Sequence, residues 1–85
     1  MLSDKLEKIL RVHARFVADG AEINPDASLA SLGIDSLAMF ELIVHIEDDF
    51  DLAIPPERIT PETFATPSTI WDLLCQVEPA LAGDE

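Results

Sequence analysis

The sequence predicts an all-α fold, a four-helix bundle with three main helices, one short helix and a long first loop. Three observations carry this. Apolar residues recur at helical spacing in three separate segments. No segment alternates polar and apolar over a strand length. Two Thr-Pro pairs mark helix starts in the second half of the chain. With 85 residues there is room for one domain, 1–85, with its core over 3–78 and a loose tail at 79–85.

The first helix spans 3–19, with Ser3 as its N-cap. Leu6, Ile9, Leu10, His13, Phe16 and Val17 fall three and four apart and lay down one apolar stripe. Gly20 is placed to end that helix as its C′ residue. Residues 20–34, with Gly20, Asn24, Pro25 and Gly33, read as a long loop containing at most one short turn, pinned to the core by Ile23, Leu29 and Leu32. The clearest helical pattern is 36–50, with Asp35 as N-cap. Met39, Leu42, Ile43, Ile46 and Phe50 form its core stripe. Thr60-Pro61 starts a short helix and Thr66-Pro67 starts the last one, a Thr cap followed by Pro at the first helical position. Ile70, Leu73, Leu74 and Val77 are the last helix's apolar stripe, and Pro79 ends it.

A second stripe runs along the 36–50 helix: Leu37, Phe40, Glu41, Val44, Glu47 and Asp48. A surface helix needs only one apolar stripe. The second offers more apolar surface than a small domain can bury, framed by carboxylates, and marks a docking surface. Five basic and 17 acidic residues leave a net charge of −12. Nucleic acid and anionic membrane surfaces are excluded as partners because both demand the opposite sign. The charge is uneven. Residues 1–32 carry five acids and four bases, whereas 33–85 carry twelve acids and Arg58 alone. A charged partner therefore docks on the second part and is basic. A single cysteine, Cys75, excludes an internal disulfide and a multi-thiolate metal site. No apolar run approaches a membrane span, and Met1-Leu2-Ser3-Asp4-Lys5 does not open a signal peptide, so a cytoplasmic protein is expected.

Ser36 sits at the junction of the long loop and the acidic helix, in Gly33-Ile34-Asp35-Ser36-Leu37. With Asp35 as cap it is the first helical residue, beside unpaired amides at the positive end of the helix dipole, where an attached phosphate is tolerated. Local physics alone favours an ordinary first-turn serine. The wider pattern changes that weight. Leu32-Gly33-Ile34-Asp35-Ser36-Leu37, then Phe40-Glu41-Leu42, then Ile46 through Pro55, together with Phe64-Ala65-Thr66 and Ile70 through Leu74, resembles the acyl and peptidyl carrier protein family over residues 5–77. The resemblance implies a four-helix bundle of the acyl-carrier type. It implies that Ser36 receives 4′-phosphopantetheine from coenzyme A, through a phosphopantetheinyl transferase using Mg²⁺, with Gly33, Asp35 and Leu37 supporting the site. Acyl or aminoacyl groups then ride the arm as thioesters. The partners implied are that transferase and basic loading and transferring enzymes, which family members meet at positions matching Leu37, Glu41, Val44, Glu47 and Asp48. Catalysis is not implied.

Ala38 and Phe40 depart from the fatty-acid branch, which places an acid two residues after the serine and a small aliphatic residue at the second position. Residues 59–67 look more like carriers of polyketide, aminoacyl and D-alanyl pathways. A specialised pathway is therefore expected, with primary fatty-acid synthesis as the alternative. The start at Met1 without a linker reads as a stand-alone monomer. The rival of another class is an unmodified acidic helical adaptor for a basic protein. Other residues read structurally. His13 is a core or edge histidine bonded to a carbonyl. His45 has no second histidine at ligand spacing. Glu47 through Asp51 is a solvated helix end, not a Ca²⁺ loop. Cys75 is a small buried hydrophobe.

Overall fold

The computed structural model describes residues 3–18 and 20–81. Three helices follow in order, α1 (Asp4–His13), α2 (Ser36–Phe50) and α3 (Pro67–Val77), with single turns of 3₁₀ helix at Ala30–Leu32 and Pro56–Arg58. Among the described residues there is no strand.

Ser3 is buried, and its hydroxyl accepts the Leu6 amide at 3.1 Å, which starts α1. Leu6, Ile9 and Leu10 then face the core. The helix ends at His13, well short of residue 19, which lies outside the described residues. The backbone turns extended at Ala14, and the Phe16 amide bonds the Leu32 carbonyl at 3.0 Å instead of continuing the helix. Phe16 is therefore exposed, contrary to the expected stripe, and only Val17 packs partly on the core. Gly20 has a positive φ of 84° but serves a turn, not the helix end.

Side chains and backbone both anchor the long loop. Ile23, Leu29 and Leu32 are buried, as expected. The Leu29 amide bonds the Ala65 carbonyl at 3.1 Å and the Ser68 amide bonds the Pro25 carbonyl at 2.9 Å. Such cross-links satisfy backbone groups that no helix serves.

On α2, Leu42, Ile43 and Ile46 are buried against α1, with Met39 and Phe50 half-buried along the same stripe. Asp51 ends the helix in the left-handed region, which aspartate tolerates better than most residues. Thr66 and Thr69 form a reciprocal cap at the start of α3, each hydroxyl accepting the other's amide, at 3.2 and 3.0 Å. Ile70, Leu73 and Leu74 complete the core, and the helix stops at Val77, before Pro79.

The expected short helix at Thr60 is a single turn. Thr60 and Thr63 cap each other, and the Phe64 amide bonds the Thr60 carbonyl at 3.1 Å, but nothing propagates. Pro67 holds Thr66 extended, so only a few residues separate one start from the next. The Pro56–Arg58 turn was not anticipated. The tail is tied at Leu81, which touches the core and bonds the Glu78 carbonyl at 3.0 Å; the rest of it, 82–85, lies outside the described residues. No helix among the described residues is long and apolar enough to cross a membrane.

Candidate functional site

Ser36 is exposed as the first residue of α2. Asp35 caps the helix, its Oδ1 accepting the Ala38 amide at 2.9 Å. The amides of Ser36 and Leu37 precede any helical partner, so they point out of the same helix end. Two residues upstream, Gly33 is buried with φ at 90°. A Cβ there would stand 2.9 Å from the Phe16 nitrogen and 3.0 Å from the Arg15 nitrogen. Glycine lets the extended segment after α1 run this close under the turn that presents Ser36 without strain. Arg15, which the sequence reading left out, straddles that turn. Its Nε donates to the Gly33 carbonyl at 3.2 Å and its terminal nitrogen meets Asp35 Oδ2 at 3.3 Å. A cation thus lies beside the one carboxylate next to Ser36.

An open cleft of about 630 Å³ begins at Ser36 and runs between α2 and the 59–64 turn. Met39, Phe40, Ile43, Ile59 and Phe64 make it apolar. Its existence was not legible in the sequence, because local signals mark the Thr60 turn but not which face of α2 it stands against.

The second stripe is largely free of the core. Leu37, Phe40 and Val44 expose 74%, 70% and 57% of their surface, and Glu41 and Asp48 are exposed between them. Glu47 differs: it is half-buried, and its Oε2 accepts the Ile54 amide at 2.8 Å. That carboxylate organises the chain after α2 and is not a free member of the face.

The histidines depart from expectation. Among the described residues His13 bonds no carbonyl; its Nε2 lies 3.1 Å from His45 Nδ1, so the two rings join α1 to α2. His45 does have a second histidine, 32 residues away in sequence and therefore invisible to spacing. Its Nε2 meets Asp49 Oδ2 at 3.3 Å. The ring centroids are 5.3 Å apart with the planes at 74°, an edge-on pair in which one ring's N–H donates to the other ring's nitrogen. Burial, then the neighbouring His45, pushes the His13 pKa below its ordinary value, against a smaller opposing pull from Glu41. Among the described residues no group of three or more His, Cys, Asp or Glu is placed to hold a metal. Cys75 is half-buried, not fully buried, and desolvation and then Asp72 push its thiol pKa up.

Comparison with known proteins agrees with this geometry. The family described as Phosphopantetheine attachment site matches residues 2–74. Aminoacyl carrier protein 1 of Bradyrhizobium diazoefficiens is 36% identical over 64 residues, 74% of this chain and 71% of that protein. Acyl carrier protein AsbD of Bacillus anthracis is 38% identical over 48 residues, 56% of this chain and 53% of that protein. The fold superimposes with a TM-score of 0.67 and 28% identity on a chain in the crystal structure of Bradyrhizobium japonicum glycine:[carrier protein] ligase complexed with cognate carrier protein and an analogue of glycyl adenylate. That match covers 86% of this chain and 99% of the other. An exposed serine at a capped helix start, a closely approached glycine just before it and a match over most of the chain converge: the protein belongs to the phosphopantetheine-attachment family of carrier proteins.

Proposed function

We propose that Ser36 carries the 4′-phosphopantetheine arm, that a phosphopantetheinyl transferase installs it, and that the cargo is an aminoacyl group. The single observation that carries the attachment is the exposed Ser36 hydroxyl at the first position of α2, next to its Asp35 cap. The residues present suit the group. The first-turn amides and the helix dipole favour the phosphate, and Arg15 offsets the charge of Asp35. The apolar cleft beginning at Ser36 gives the arm a surface to lie along. The arm supplies a thiol on a flexible tether; the protein supplies the anchor and the docking face.

The aminoacyl cargo is supported by the relatives called aminoacyl carrier proteins and by the likeness to a chain crystallised with a glycine:[carrier protein] ligase. Ala38 and Phe40 fit this reading, since the former removes a charge beside the attachment point and the latter adds bulk to it. The holo protein is to be offered an aminoacyl:carrier ligase with ATP and amino acids, and separately a malonyl transferase of fatty-acid synthesis with malonyl-coenzyme A. A thioester-labile mass gain from the ligase and slow malonylation support the reading. Malonylation as fast as that of a fatty-acid carrier, with no aminoacylation, overturns it.

A further inference from the structure

Val12 is a solvent-facing residue of α1 at 69% exposure, with no role in the core. It lines two adjoining depressions along the seam between α1 and α2. The smaller, about 280 Å³, is shared with Arg15, Asp35, Leu37 and Glu41. The larger, about 670 Å³, is shared with Phe40, Glu41, Val44 and Asp48. His13 lines both, and its bond to His45 ties α1 to α2 along this seam. Together they form one trough with an apolar rim of Val12, Leu37, Phe40 and Val44. Glu41 and Asp48 supply negative charge, and Arg15, already paired with Asp35, is the cation at its edge.

Resting on the assignment of the arm to Ser36, we infer that the docking face spans two helices, with Val12 of α1 as a direct contact, and that its occupant is the basic, apolar-centred surface of the phosphopantetheinyl transferase. Two features select that occupant. The trough ends at Asp35 and Leu37, the chain neighbours of Ser36, which itself lines the apolar cleft on α2, so an enzyme delivering a phosphate to Ser36 comes up against that end. Glu41 and Asp48 set acids along the trough, and a basic surface complements them. Val12 adds apolar contact on the side of the trough that α2 does not provide, and such contacts carry affinity where they are desolvated on docking.

Four proteins test this with coenzyme A, Mg²⁺ and a broad-specificity transferase: wild type, Val12→Lys, Val12→Ala and Ala53→Lys. Ala53 is exposed beyond the far end of α2, so A53K adds the same charge away from the trough. V12K is expected to lower kcat/KM about tenfold, mainly through KM, and A53K to change it less than about twofold. Circular dichroism confirms that V12K is folded, and the milder Val12→Ala moves in the same direction. The Val12 methyl resonances of the wild type are expected to shift with those of Val44 when the transferase is added. Equal rates for V12K and A53K, with Val12 methyls unmoved, overturn the two-helix face while leaving Ser36 in place. A wild type that gains no mass overturns the Ser36 assignment and the inference with it.

Discussion

Alanine at position 33 tests the geometry that presents Ser36, and Gly20 provides an internal control. Both glycines have positive φ, 90° and 84°. A left-handed conformation costs a non-glycine residue about 1–2 kcal/mol. At Gly20 nothing lies within 4 Å of an added Cβ, so Gly20→Ala costs that strain alone. At Gly33 the Cβ meets two backbone nitrogens at 2.9 and 3.0 Å and the Phe16 ring at 3.1 Å. Backbone cannot rotate aside as a side chain does, so the segment at Arg15 and Phe16 must shift, adding about 1–3 kcal/mol. A domain of this size has about 4–13 kcal/mol in total, and each kcal/mol moves Tm by about 4–8 °C. The midpoint of thermal unfolding followed by circular dichroism is expected to fall by about 4–16 °C for G20A and by about 4–24 °C more than that for G33A. The shift also loosens Arg15 from Asp35, so G33A is expected to accept the arm more slowly than G20A at a temperature where both are folded. Equal Tm values for the two variants would refute the close approach of the chain at Gly33.

Asp35→Ala removes the α2 cap and is expected to cost about 1 kcal/mol in chemical unfolding, whereas Asp35→Asn keeps an acceptor for the Ala38 amide and costs less. The lowered pKa of His13 fixes the sign of an acid effect: the folded state resists a proton that the unfolded chain accepts near 6.5, so the stability it contributes is full above that pH and declines as pH falls from 6.5 toward the lower folded value. His13→Gln, which keeps a hydrogen-bonding group near Nε2, is expected to flatten that slope in urea melts across the range; an unchanged slope would assign it to other groups. Reversing Glu41 and Asp48 to Lys is expected to slow arm attachment and remove much of its salt dependence, with a stability change within about 0.5 kcal/mol. Glu47→Lys is expected to destabilise by about 1 kcal/mol instead, because the Ile54 amide loses its acceptor.

Local signals were readable from sequence; contacts between distant segments were not. Asp35, Thr66 and Pro67 act on neighbours within one helical turn, and the starts of α2 and α3 fall where those residues predict. The setting of Ser36 at a capped helix start was legible for the same reason, whereas its candidacy for the arm came from the wider family resemblance and not from local signals. The end of α1 was not, because Phe16 gives its amide to Leu32, a partner that only the tertiary fold brings near. The Thr60 signal correctly marks a capped turn, yet a cap does not set length, and Pro67 soon interrupts. The carboxylate of Glu47 looked equivalent to those of Glu41 and Asp48 by spacing; the returning chain at Ile54 separates it from them. The His13–His45 bond and the grip of Arg15 on Gly33 join residues far apart in the sequence, with no periodicity to announce them.

The central claim is that the exposed hydroxyl of Ser36 is where the phosphopantetheine arm is attached. Intact-mass measurement of the wild type and Ser36→Ala after incubation with coenzyme A, Mg²⁺ and a broad-specificity transferase tests it most directly. Ser36 is exposed and its side chain caps nothing, so S36A is expected to fold as the wild type does. The wild type is expected to gain one phosphopantetheine and S36A none. A full mass gain in folded S36A, at Ser31 or Ser68 for instance, would contradict the assignment.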